Sequence, residues 1–195
     1  SLSIGNNVSG QEWQNALDTG IADWRNDDQG NPQSPLNLRE VPGSTNPKQC
    51  KPAEGTVQVC NDSYGLRGWL GIAQIWLSGD HITEGVVKLN NSYFQLDQYN
   101  SPALRNLVTC QELGHTFGLA HTDENFNNAN DGTCMDYTDD PDGSLKGQAD
   151  NQHPNAHDYA MLDDIYAHTD FVVVEPPADG GGGGGGPPGG GGPPG

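Results

Sequence analysis

The residues best equipped for chemistry lie between positions 110 and 121, which read Cys110-Gln111-Glu112-Leu113-Gly114-His115-Thr116-Phe117-Gly118-Leu119-Ala120-His121. On a helix, positions 111 and 115 stand one turn apart on one face and can grip a single ion. Glu112 then sits beside them, ready to take a proton from a metal-bound water. Gly118 lets the chain leave the helix sharply enough for His121 to return as a third ligand. An ion held by three protein donors and one water lowers the pKa of that water to about 7, and Glu112 becomes a general base. The unusual member is Gln111. Its neutral amide oxygen is a poorer zinc donor than imidazole and a harder one, which weakens the site and tilts it away from a strict zinc preference.

The elements that must position these residues are legible as patterns. Ser101 as cap and Pro102 at the first helical position open a helix in which Leu104, Leu107, Val108, Glu112 and His115 recur at helical spacing. An earlier helix starts near Ser9 or Gly10, carries Trp13, Leu17, Ile21 and Trp24 on one face, and ends in the polar run 26–31. Leu36–Val41 alternates as a half-buried strand does. Trp69–Leu77 is a near-continuous apolar run that predicts a central strand, and His81–Leu89 predicts another after the turn Ser78-Gly79-Asp80. A last helix is expected from about Pro154 to His168, with Tyr159, Leu162, Ile165 and Tyr166 on its apolar face.

The chain of 195 residues has 8 Lys plus Arg against 26 Asp plus Glu, a formal charge of −18. Such a surface repels a phosphate backbone, so nucleic acid is excluded as a partner. No stretch reaches the roughly 20 apolar residues of a membrane span, and no charged-then-apolar leader begins at Ser1, which reads as the start of a mature, secreted protein. The four cysteines form no C-x-x-C pair, which favours disulfides over a cysteine metal site. Cys50 and Cys60 bracket a plausible hairpin loop, and a Cys110–Cys134 bridge ties the metal helix to the loop after it. Asn7, Asn61 and Asn90 open glycosylation sequons. The acidic loop 136–143, with Asp136, Asp139, Asp140 and Asp142, matches no complete calcium pattern. A solvated turn is its default reading, and calcium is the minority one.

Taken together, Glu112, His115, Gly118 and His121 match the pattern H-E-x-x-H-x-x-G-x-x-H with Gln111 in place of the first histidine, and the chain from Ser1 to Asp170 resembles the metzincin clan of zinc endopeptidases, in its matrixin-like secreted prokaryotic form. The family's methionine turn is matched by Cys134-Met135-Asp136-Tyr137, and Met-x-Tyr in related branches puts the tyrosine near the metal. The resemblance therefore implies Tyr137 as a further metal ligand, or as a donor to the oxyanion of a tetrahedral intermediate. It also implies an α+β fold: a twisted five-stranded mixed sheet, an N-terminal helix, the active-site helix, the Met-turn and a C-terminal helix behind the metal. His81–Leu89 would be the edge strand along which a polypeptide substrate lies. Two functions follow from Gln111: a weakened or inactive relative of the family, or a working zinc endopeptidase with Glu112 as its base.

The composition changes near Glu175, dividing the chain into a peptidase-like domain at 1–175 and a tail at 176–195. From Gly180 to Gly195 only Gly and Pro occur, with Gly at 180, 183, 186, 189, 192 and 195 and Pro-Pro pairs at 187–188 and 193–194. Without side chains to bury, such a segment is either a linker or an assembly strand of collagen-like or polyglycine type. The assembly reading predicts self-association through residues 176–195 into an extracellular homopolymer or filament.

Overall fold

A computed structural model of the chain describes residues 2–26 and 33–167. The tail at 176–195, and with it the predicted self-association, lies outside the described residues, as does His168.

The described residues form an α+β fold on one five-stranded mixed sheet of order β2-β1-β3-β5-β4. The strands are β1 (Leu2–Asn7), β2 (Leu38–Pro42), β3 (Thr56–Asp62), β4 (Gly71–Ser78) and β5 (His81–Asn90). The pairs β1–β2, β1–β3 and β3–β5 are parallel, and β4 alone runs antiparallel, as the short turn from β4 to β5 requires. The helices are α1 (Gln11–Trp24), the single turn α2 (Asn91–Phe94), α3 (Pro102–Thr116) and α4 (Ala156–Tyr166).

One face of the sheet supplies Ile4, Val57, Val59, Val87 and Leu89 to the main core, where α1 and α3 cover them with Trp13, Leu17, Ile21, Leu107 and Leu113. On the other face Gln58 is buried across from Gly5, where a Cβ would stand 2.5 Å from the Gln58 amide. That amide accepts from Asn7 (2.9 Å) and the Ser44 backbone (3.1 Å) and donates to Thr56 (2.9 Å). Its burial is tolerated because its polar atoms are paired. The Cys50–Cys60 disulfide, with an S–S distance of 2.07 Å, pins the covering loop to β3 beside Val86.

Three expectations are corrected. His81–Leu89 is an interior strand, with β3 on one side and β4 on the other, and the edge is β4. The run Trp69–Leu77 is accordingly no central strand. Ile72, Ile75 and Trp76 are 37–38 % exposed and Leu77 61 %. An apolar run does not distinguish burial on two faces from an edge strand whose outer half is open. Cys50 and Cys60 do not bracket a hairpin either: Cys60 lies within β3, whose neighbours are β1 and β5. Two of the three sequon asparagines also turn inward. Asn61 and Asn90 are buried, donating to the Ser9 carbonyl (3.0 Å) and the Gly65 carbonyl (2.8 Å).

Candidate metal centre

Helix α3 begins as its sequence requires, with the Ser101 hydroxyl accepting from Leu104 N at 3.1 Å and Pro102 in the first turn. It runs to Thr116, and Gly118 then turns the chain with φ 101°, a conformation that favours glycine. His115 and His121 thereby meet: their Nε2 atoms are 2.9 Å apart and their ring centroids 4.5 Å. Each ring is held from behind, His115 Nδ1 by the Leu119 carbonyl at 2.8 Å and His121 Nδ1 by the Glu124 carboxylate at 3.0 Å. A carbonyl and a carboxylate only accept, so both Nδ1 atoms carry the proton and both Nε2 atoms present lone pairs to one another.

Two lone pairs at that distance call for a positive charge between them. Burial pushes the pKa of His115 down, and the proximity of His121 adds to this against the opposing bond to Leu119, so a shared proton is disfavoured. A divalent ion fits the donor set: tetrahedral bonds of about 2.0–2.1 Å would put the two nitrogens roughly 3.3 Å apart, a small opening from what is observed. The outer partners Leu119 and Glu124 are of the kind that orient metal-binding histidines.

The other expected residues line the same cleft, a space of about 480 Å³ that includes Gln111, Glu112, His115, His121 and Tyr137. Gln111 Nε2 donates to the Cys134 carbonyl at 2.9 Å, which leaves the amide oxygen as its remaining acceptor. The Tyr137 ring packs at a tilt against His121 and Phe126, with centroids 4.4 and 5.0 Å away. Burial raises the Tyr137 pKa, with Glu124 and Glu112 adding to the shift, so its hydroxyl stays protonated and able to donate. Glu112 is 7 % exposed, and burial pushes its pKa up to about 8 against a stabilising bond from the Ala73 backbone. A nearby cation would favour its carboxylate form.

The turn 134–137 sits under the helix. Met135 is fully buried, and its sulfur would lie 2.6 Å from a Cβ placed on Gly114, so glycine at 114 is what admits it. The Cys110–Cys134 disulfide staples this turn to α3. In the acidic loop the Asp140 carboxylate accepts from Leu145 N (3.1 Å) and Lys146 N (2.8 Å), Asp139 pairs with Lys146 at 2.5 Å, and Asp142 accepts from Ser144 N at 3.0 Å. Protein donors thus account for the order of the turn. Asp136 accepts through one oxygen from Asp131 N (3.0 Å) and Asn151 (2.8 Å), while its other oxygen is buried without a partner. Among the described residues no three His, Cys, Asp or Glu side chains converge on one point. The donors gathered here are two imidazoles, an amide and a phenol.

Several participants escaped sequence reasoning. Gly71 lets β4 approach the helix, because a Cβ there would stand 2.7 Å from Glu112 Cγ and 2.6 Å from Val108. An isolated glycine inside an apolar run was the available signal for such an approach. Glu124 stands three residues beyond His121, a spacing with no distinctive pattern, and Phe126 walls the cleft from a loop. Comparison with protein-family models, with curated proteins and with solved structures finds no match for this chain.

Proposed function

We propose that the described domain is a metzincin-like metallopeptidase domain of reduced metal affinity, acting on extended polypeptides outside the cell. The observation that carries this reading is the facing pair of Nε2 lone pairs on His115 and His121, each backed by an acceptor on Nδ1. These two nitrogens would hold a zinc ion, with the Gln111 amide oxygen as the third protein donor and the fourth position left to water. Bound zinc supplies a Lewis acid and an acidified water. Glu112 would accept the proton from that water at the edge of the cleft and return it to the leaving amine, while the Tyr137 hydroxyl donates to the developing oxyanion.

Two further features support a polypeptide as substrate. The edge strand β4 borders the cleft through Gly71, Ile72 and Ala73, and an extended chain can add to such an edge by main-chain hydrogen bonds. The cleft also continues through Trp69, Leu70 and Phe126 into a larger cavity of about 1100 Å³, ample for side chains of a bound peptide. The extracellular setting is supported by two disulfides, and no helix of the described residues is long and apolar enough to cross a membrane.

The bond from Gln111 to the Cys134 carbonyl favours a second reading, in which this residue has exchanged metal binding for a structural role and activity is lost. Metal analysis of the purified protein, with casein or gelatin cleavage measured with and without chelator, separates the two. Gln111→His is expected to raise both zinc content and cleavage. No zinc in either protein and no gain in cleavage would sink the peptidase reading.

A further inference from the structure

The cavity of about 1100 Å³ that continues from the cleft combines two kinds of wall. One is aromatic and apolar, made by Trp69, Tyr93, Tyr99, Leu104, Phe126 and Leu145. Tyr93 and Tyr99 are half-buried and meet edge to face, their centroids 5.5 Å apart. Phe126 is 51 % and Leu145 80 % exposed, so apolar surface at this cavity is left for a ligand to cover.

The other wall is acidic. Asp139, Asp140 and Asp142 line it, and among the described residues no Lys, Arg or His does. The three carboxylates are not equivalent. Asp139 pairs with Lys146 at 2.5 Å, and Asp140 is buried with its two oxygens accepting from Leu145 N, Lys146 N and the Gln148 amide. Asp142 is exposed and accepts from Ser144 N at 3.0 Å within its own turn, and among the described residues no cation pairs with it. A long cationic side chain satisfies both walls, its stem against the rings and its charge at Asp142. Arginine fits better than lysine, because its planar and weakly hydrated guanidinium stacks on ring faces and pairs with a carboxylate through two parallel bonds. An acidic side chain is repelled, and an apolar one leaves Asp142 without a partner.

We propose that this cavity receives an arginine side chain of the polypeptide bound in the cleft, and that Asp142 is the residue that selects it. The inference rests on the reading of the cleft as a polypeptide site and gives that site a substrate class, chains with arginine close to the point of attack. Trp69, Leu70, Leu104, Phe126 and Thr138 line both the cleft and the cavity, so a side chain leaving a peptide at the histidines enters the cavity directly.

The test measures binding to the full chain by fluorescence anisotropy with chelator present, so that no peptide is cut. Labelled, end-blocked peptides of small residues carry arginine, citrulline, norleucine or glutamate at one central position. Citrulline keeps the shape of arginine and lacks its charge. The arginine peptide is expected to bind about tenfold more tightly than the citrulline peptide, the effect of one exposed ion pair and one ring face. Asp142→Asn keeps an acceptor for Ser144 N and is expected to shrink that gap to about threefold. Glu54→Gln removes an exposed charge outside the cavity and is expected to leave the gap unchanged. A gap that Asp142→Asn leaves intact, or that both variants shrink equally, would overturn the proposal. Norleucine or glutamate peptides that bind as well as the arginine peptide, or no binding by any of them, would overturn it as well. Cleavage without chelator is read separately: a gap that depends on Asp142, with no zinc and no cleavage, would sink the peptidase reading and leave the assignment of the cavity standing.

Discussion

Gly114→Ala tests how closely helix α3 and the turn 134–137 are fitted beside the candidate site. A methyl group at 114 would stand 2.6 Å from Met135 Sδ, 3.3 Å from Met135 Cε and 3.0 Å from Trp24 Cζ2. Trp24 has nowhere to go: it is fully buried, its Nε1 donates to the Cys110 carbonyl at 3.1 Å, and its ring meets Phe117 and Tyr159 edge-on at 5.8 and 6.0 Å. Met135 must therefore give way, and its flexible thioether is the softer neighbour. Its own backbone is held, however, by the bond from Thr122 N at 2.9 Å and by the Cys134 disulfide beside it. Overpacking of this kind costs typically 1–3 kcal/mol, while alanine in a helix interior recovers up to about 1 kcal/mol relative to glycine. With contacts of 2.6 and 3.0 Å on two sides, the overpacking falls in the upper part of that range, about 2–3 kcal/mol, so the expected net loss is about 1–2 kcal/mol, or a fall in Tm of roughly 2–8 °C for a domain of this size. Thermal and urea unfolding of the oxidised protein read it directly. A variant as stable as the parent would refute the reasoning, because it would mean that the turn moves away from the helix without cost.

Two other changes probe the elements around the site. Replacing Cys110 and Cys134 together by alanine removes a bridge between residues separated by 24 positions, and the loop-entropy relation puts its contribution near 3.5 kcal/mol. Urea unfolding should show a loss of that order, and a loss below about 1 kcal/mol would mean that the turn is held by packing alone. His153 Nδ1 lies 2.7 Å from the Asp23 carboxylate, joining the segment before α4 to α1, and that bond raises the histidine pKa. Because the folded-state value is raised, this contribution is complete below the unfolded value of about 6.5 and fades as pH rises through the folded one. The pair is partly exposed, so the effect is small. The expected signature is a parent-minus-His153→Gln difference in stability that is larger at pH 5.5 than at pH 8.5, and a pH-independent difference would contradict the assignment.

The sequence by itself determined the local features. Helices α1, α3 and α4 follow from apolar residues recurring at helical spacing and from capping residues, Ser101 before α3 and Asn155 with Asp158 at α4. The gathering of Gln111, Glu112, His115 and His121 around one cleft follows from helical geometry and one glycine turn, since all four lie within eleven consecutive residues. Both disulfide pairings were also legible, because each joins cysteines close in the chain. Tertiary structure decided what depends on neighbours distant in sequence. Strand β1, with Ser3, Gly5, Asn6 and Asn7, carries little apolar signal and owes its place to pairing with β2 and β3 on either side. Which of two apolar runs forms the edge of the sheet is a property of pairing order, and β4, the more continuously apolar of the two as a sequence, is the edge. The same holds at the cleft. The raised pKa of Glu112 comes from burial beside β4, and the amide of Gln111 is directed by the Cys134 carbonyl. Neither environment exists until segments some twenty to forty residues apart are packed together.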